Sequence, residues 1–343
     1  MAIRRIAGVG VVLFIFAALA ETRSRTPSAP QSLAADGAWV LKFPRSLDGK
    51  YEDFAFVGSR GWLVTALGDV LRSVDGGATW SVQAKEMGRL RSVDFLSAVQ
   101  GFAGTVDGVL FATEDGGTTW RDVTALLPKP AAGFCGITHV GNRVHLVGRY
   151  AGGTADHYSS SDGGRTWHVQ DLHSLAQGLV DIAFVDQNVG FIGGMSQSDQ
   201  RGDGPAAILR TADGGRTWRK VFTDDGGRGF AWKLFPVSRT QIFAALQSED
   251  GVYRVAKTID GGEKWRVITV ATNRPKGPGV QTIGFLDPKQ GWVAGFFEGV
   301  YETLDGGETW QFLSIPDRTF NRIELVDGHV ITAARRGVWW YRR

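Results

Sequence analysis

The segment Ser73–Trp80 reads SVDGGATW, and the same pattern returns at Thr113–Trp120, Ser160–Trp167, Thr211–Trp218, Thr258–Trp265 and Thr303–Trp310. Its aspartates, Asp75, Asp115, Asp162, Asp213, Asp260 and Asp305, recur 40 to 51 residues apart, Asp75 to Asp115 being the shortest step and Asp162 to Asp213 the longest. Recurrence at that period marks a repeat architecture. Asp-Gly-Gly supplies the positive-φ positions of a tight turn without a Cβ clash. The carboxylate can accept N–H groups of its own turn, and the leading Ser or Thr can add a hydroxyl contact. The closing tryptophans, Trp80, Trp120, Trp167, Trp218, Trp265 and Trp310, begin the next strand and are large enough to fill the gap between neighbouring sheets. One copy departs, with Lys264 where the others carry Thr. Six copies on six units point to a structural role, because a catalytic or metal site needs a single constellation.

Outward from each corner lies a strand-like run on either side. Upstream of these comes a first strand with alternating apolar residues: Phe54/Phe56, Val93/Phe95, Ile137/His139, Ile182/Phe184, Trp232/Leu234, Ile283/Phe285 and Ile323/Leu325. A second strand often begins Gly-aromatic, as at Gly61-Trp62, Gly101-Phe102, Gly190-Phe191 and Gly291-Trp292. Short, evenly spaced strands with a recurring Gly/aromatic signature predict an all-β fold, a seven-bladed β-propeller of four-stranded blades. There are seven first strands but six corners. Trp39–Pro44 resembles the strand that follows a corner, so the N-terminal strand is expected to complete the last blade and remove the open sheet edges.

The 343 residues divide into three expected parts: a signal peptide at 1–20, a flexible leader at 21–35 and the propeller at 36–343. Arg4-Arg5, the apolar run Ile6–Leu19 and Ala18-Leu19-Ala20 have the order of a bacterial secretory signal, which places the protein in the periplasm or outside the cell. An uncleaved anchor is the alternative for that segment. Lys and Arg number 38 against 35 Asp and Glu; loss of Arg4 and Arg5 with residues 1–20 leaves a net charge of +1. No run of basic residues marks a nucleic-acid partner. Cys135 is the single cysteine, so no internal disulfide is expected. His139 stands where most first strands carry Phe and reads as a core or channel-lining residue. The six histidines are scattered, and neither a metal site nor a cofactor is expected.

In such a unit the corners lie on one face of the ring. The loops on the other face are uneven in length, and loop length on one face is where repeat folds carry function. Arg149, Arg228, Arg274, Arg318, Arg335 and Arg336 fall there and are the candidate partner-binding residues, since guanidinium forks suit carboxylates and protein interfaces. Loop acids, among them Asp69, Asp107, Asp203, Glu249, Asp250 and Glu298, leave a glycosidase-type carboxylate pair open. Tyr150 and Phe296 are rim aromatics on which a sugar could stack.

The corner S/T-x-D-G-G-x-T-W resembles the Asp-box, or BNR repeat, of sialidases, xyloglucanases, sortilin-type receptors and photosystem II stability/assembly factors. Seven units with a Gly-aromatic second strand look most like the last of these over Trp39–Arg343. That resemblance implies a non-catalytic, monomeric scaffold that uses an arginine-rich surface to bind a protein partner, such as a membrane-protein assembly intermediate. The alternative it leaves is a sialidase-like or xyloglucanase-like glycoside hydrolase, or a sugar-binding protein. Sialidases carry an Arg-Ile-Pro stretch, which Lys42-Phe43-Pro44-Arg45 does not match. Xyloglucanases of this type pair two propellers, and this chain has one.

Overall fold

The computed structural model describes residues 39–44, 50–148, 155–196, 204–247 and 249–342. The expected signal peptide and leader, and Arg149, Tyr150 and Asp203, lie outside them. Seven four-stranded antiparallel sheets form the blades of a β-propeller. The inner strands are Tyr51–Val57, Leu90–Phe95, Gly136–Val140, Gly178–Phe184, Ala231–Pro236, Val280–Phe285 and Arg322–Val326, numbered here as blades 1 to 7. Each inner strand packs on the next, and that of blade 7 packs on that of blade 1. Among the described residues no helix is long and apolar enough to cross a membrane.

The Gly-aromatic signature follows from pairing across the first two strands. Gly61, Gly101, Gly190 and Gly291 lie opposite Phe56, Phe95, Phe184 and Phe285. A Cβ on any of these glycines would sit 2.4–2.6 Å from the facing ring. Where the facing residue is not Phe, the glycine is gone: Val144 faces His139, Ile242 faces Pro236 and Val330 faces Leu325. The aromatic after the glycine then packs on the next blade, as Trp62 does on Phe95 with ring centroids 3.6 Å apart. We expect Gly101→Ala to lower the unfolding free energy by about 1–3 kcal/mol, the cost of overpacking a filled site, measured by urea denaturation.

The corners saturate their own polar groups. Asp115 Oδ1 accepts from the Thr113 hydroxyl at 2.9 Å and from Thr119 N–H at 2.9 Å, while Oδ2 accepts from the Thr119 hydroxyl at 2.7 Å. These bonds, led by the Thr119 backbone, pull its pKa down to about 2. At the Lys264 corner, Asp260 keeps the backbone bond at 2.9 Å and has no hydroxyl partner at that position. Five closing tryptophans donate Nε1–H to a glycine carbonyl of their own corner, as Trp80 does to Gly77 at 2.9 Å. Their indoles fill the interfaces between blades: Trp80 packs with Phe56 of its own blade and Ile331 of blade 7.

Trp39–Pro44 pairs antiparallel with Gly337–Tyr341 as the outer strand of blade 7, with Trp39 opposite Tyr341. No Asp-Gly-Gly sequence precedes Trp39, and its buried Nε1 has no hydrogen-bond partner. Edge-on packing against Trp292 and Tyr341, at 5.7 and 5.6 Å, holds it instead.

One register expectation is corrected. In blade 5 the residue equivalent to Phe54 is Leu234, and Trp232 lies two positions earlier, at a β-bulge. Five of the seven inner strands carry such an extra residue near their start. In chain order they are Glu52, Arg91, Val180, Trp232 and Gln281, and in blades 3 and 7 Cys135 and Asn321 stand immediately before the inner strand. A bulge re-aims a side chain, and at Arg91, Val180 and Trp232 it turns the side chain toward the other side of the ring. Arg91 of blade 2 pairs with Glu52 and lies 5.5 Å from the Trp232 ring of blade 5. Trp232 in turn packs with Cys135 and Val180. Side chains from opposite sides of the ring therefore meet in the channel.

Candidate functional site

On the face opposite the corners, Arg318, Arg335 and Arg336 line one concavity of about 560 Å³ with Glu298, Pro316 and Asp317. Arg318 comes from the connection between blades 6 and 7, and the other two come from the turn between the second and third strands of blade 7. All three are exposed. They stay together because Asp317, 3% exposed, ties both loops down. Its Oδ1 accepts from Arg318 N–H at 2.7 Å. Its Oδ2 accepts from Arg336 N–H at 2.9 Å and from Trp339 Nε1–H at 2.7 Å. Burial raises the Asp317 pKa, against the pull of those donors and of the Arg336 charge. Asp317 therefore acts as an acceptor whose hydrogen bonds go to backbone N–H groups and Trp339 rather than to the three guanidinium groups. Replacing it with Ala strands several N–H donors. We expect Asp317→Ala to cost about 2 kcal/mol or more, read by thermal unfolding.

Arg274 lines a neighbouring concavity of about 620 Å³, which shares Glu298 with the first. Arg228 lies elsewhere, in a hollow of about 580 Å³ between blades 4 and 5 that also holds Asp225, Glu249 and Asp250. The structure thus brings together Arg318, Arg335 and Arg336, sets Arg274 beside them, and leaves Arg228 among acids.

The carboxylates of the channel are engaged. Glu52 pairs with Arg91, Asp181 with Lys233 at 3.0 Å, Asp53 with Arg322 at 3.4 Å and Asp94 with His139 at 2.7 Å. Asp53 and Asp181 also bind the backbone of the next blade, at Val93 N–H and Leu234 N–H. Three of the loop acids are likewise held. Asp107 accepts from Arg89 at 3.0 Å, Asp250 from Arg254 at 2.7 Å and Asp69 from the Thr65 hydroxyl at 3.2 Å. Among the described residues no group of three or more His, Cys, Asp or Glu is placed to hold a metal ion.

One cluster escaped the sequence. His145 and His157, each 1% exposed, stack in the interface between blades 3 and 4, with His145 Nδ1 3.0 Å from His157 Nε2. His145 also stacks on Phe184 at 4.3 Å. Trp218 differs from the other closing tryptophans here, because it donates Nε1–H to His157 Nδ1 at 3.3 Å. Burial drives both pKa values down, His145 to about 4 and His157 to about 3, with the Arg143 charge adding to the first and His145 to the second. A signal existed: His145 occupies the place of Trp62, Phe102, Phe191, Phe243 and Trp292, and His157 that of Val70, Leu110, Ile208, Val255 and Val300.

No family model matches the chain, and no curated protein matches it. Solved structures do. A structure described as YCF48 bound to D1 peptide is similar at a TM-score of 0.66 and 18% identity, covering 91% of this chain and 96% of that one. YCF48 from Cyanidioschyzon merolae is similar at 0.66 and 20% identity, over 89% and 98%. The GH74 xyloglucanase from Xanthomonas campestris is similar at 0.57 and 14% identity, over 84% of this chain and 51% of that one, so this chain spans about half its length. At these identities the likeness shows the seven-bladed propeller.

Proposed function

We propose that this chain is an exported, non-catalytic propeller scaffold that binds an acidic segment of a protein partner across the arginine concavity of blades 6 and 7. In the manner of an assembly factor, its client is a partly assembled membrane protein. The observation that carries this reading is the convergence of Arg318, Arg335 and Arg336 on one exposed hollow, with the local acid Asp317 turned to the backbone. Three exposed guanidinium groups gathered at one hollow of a near-neutral chain are a specific electrostatic feature, and guanidinium binds carboxylate bidentately. The resemblance in fold to YCF48, one structure of which holds a peptide, supports the choice of partner class. The paired carboxylates of the channel weigh against a hydrolase.

The test compares capture from detergent-solubilised envelope by the wild-type chain and by the Arg318→Ala/Arg335→Ala/Arg336→Ala variant. A partner held by the first and lost by the second, with unchanged melting temperatures, is the expected result. An identical set of captured proteins overturns the reading. Cell fractionation, with the mature N-terminus at Glu21, checks the export step.

A further inference from the structure

The concavity beside the arginines is aromatic. It lies between blades 5 and 6 and is lined by Tyr253, Arg274, Phe296, Phe297 and Phe312, with the turn at 275–279 as its rim. Phe296 and Phe312, 40% and 43% exposed, are the exposed aromatic rings among the described residues. Every other Phe, Trp and Tyr described is at least partly covered, so the placement of these two at one hollow is a local departure from the burial pattern of the ring. Exposed apolar surface gathered in one place marks a docking site.

Charge surrounds this apolar floor. The Arg274 guanidinium lies 6.0 Å from both the Tyr253 and Phe312 rings, and its buried Nε has no hydrogen-bond acceptor. The Lys50 ammonium lies 5.4 Å from the Phe296 ring, and Lys276 is on the rim. Glu298 stands at the junction with the arginine concavity and is the one exposed acid lining either hollow. The two hollows thus form one surface, with cations along it and an aromatic pocket at one end.

We infer that the ligand of this surface is an extended acidic peptide with one large apolar anchor, whose aromatic side chain seats between Phe296 and Phe312 while its carboxylates meet Arg318, Arg335 and Arg336. This rests on the protein-binding reading above and adds the chemistry of the partner. The anchor supplies the apolar burial, and the arginines set the register of the acidic part. Removing the negative charge at the junction by Glu298→Gln tightens binding.

The experiment uses fluorescein-labelled Asp/Glu/Gly peptides of roughly twelve residues, about 40 Å when extended. One Phe is placed at each successive position, and each peptide has a twin with Ala there. Anisotropy titrations are run on the wild-type chain, on Phe296→Ala/Phe312→Ala and on the triple arginine variant. The expected result is that at least one Phe peptide binds the wild type about tenfold or more tighter than its Ala twin. The Phe296→Ala/Phe312→Ala variant loses that advantage but keeps the salt-sensitive binding of the twin, and the triple arginine variant loses both. Twins that bind the wild type equally overturn the anchor and leave acidic recognition standing. No binding of either twin overturns both readings. Equal competition by an oligothymidylate of the same length shows a nucleic-acid surface and also overturns the inference. The melting temperature of each variant verifies that it folds.

Discussion

Trp39→Ala should destabilise the chain by about 3–5 kcal/mol, the usual cost of emptying a buried tryptophan site, and deletion of residues 39–44 should do more. Trp39 joins Trp292, Phe320 and Tyr341 in the cluster between blades 6 and 7, and its strand covers the edge of Gly337–Tyr341. Five closing tryptophans are held by a hydrogen bond to their own corner and Trp218 by one to His157, whereas Trp39 relies on packing, because its Nε1 has no hydrogen-bond partner. Deletion also bares a row of unpaired backbone groups that can template edge-to-edge association. Urea denaturation measures the first effect, and light scattering on the truncated chain the second. Unchanged stability of Trp39→Ala would mean that the ring is closed by other contacts.

The second large effect is acid sensitivity centred on one interface. His145 and His157 are held neutral in the folded chain, with pKa values of about 4 and 3, while the unfolded chain takes up protons near the ordinary value of 6.5. Between these limits the unfolded state binds more protons, so stability is fully present above about pH 6.5 and declines as pH falls toward 4. The shift of His145 alone is worth on the order of 3 kcal/mol. His139 works in the opposite sense. Its hydrogen bond to Asp94 raises its pKa, so its contribution is present at low pH and is lost as pH rises through that value. The corner aspartates, with pKa values depressed to about 2 at Asp115, Asp213 and Asp305, act only below about pH 4. His145→Phe/His157→Val restores the residue types found at the other interfaces and frees Trp218 to bond its own corner. Melting temperatures recorded from pH 4 to 7 should fall with acid in the wild type and much less in this double variant. Parallel curves would remove the pair as the cause.

Much of the ring was legible in the sequence because its turns demand particular residues. Gly76 and Gly77 sit at φ of 71° and 91°, and Gly116 and Gly117 at 74° and 86°, so the Asp-Gly-Gly corners could be located from the recurring motif alone. The closing strand was legible as well, since Trp39 repeats the tryptophan of the corners although no Asp-Gly-Gly sequence precedes it. Blade 5 misled the register. Trp232 is apolar and looks like a core residue, but the bulge turns it to the axis, and the alternation it suggested was set two residues too early. The histidine pair was hidden because its members are twelve positions apart on neighbouring strands and meet on a diagonal. The arginines could be assigned to one face, but which of them meet depends on the packing of blade 6 against blade 7. Asp317, which positions them, had no motif to announce it. Arg228 shows the limit from the other side: the same face and residue type, but in the company of Asp225, Glu249 and Asp250.

The most direct measurement is site-specific photocrosslinking in the envelope of living cells. The photoreactive residue p-benzoylphenylalanine is placed either at Glu298, where the two hollows join, or at Val74, which is 64% exposed on the corner of blade 1. A discrete protein adduct from position 298, absent when Arg318, Arg335 and Arg336 are alanine and absent from position 74, is the result predicted here. Adducts from the corner face alone, or an adduct at 298 indifferent to the three arginines, would contradict it.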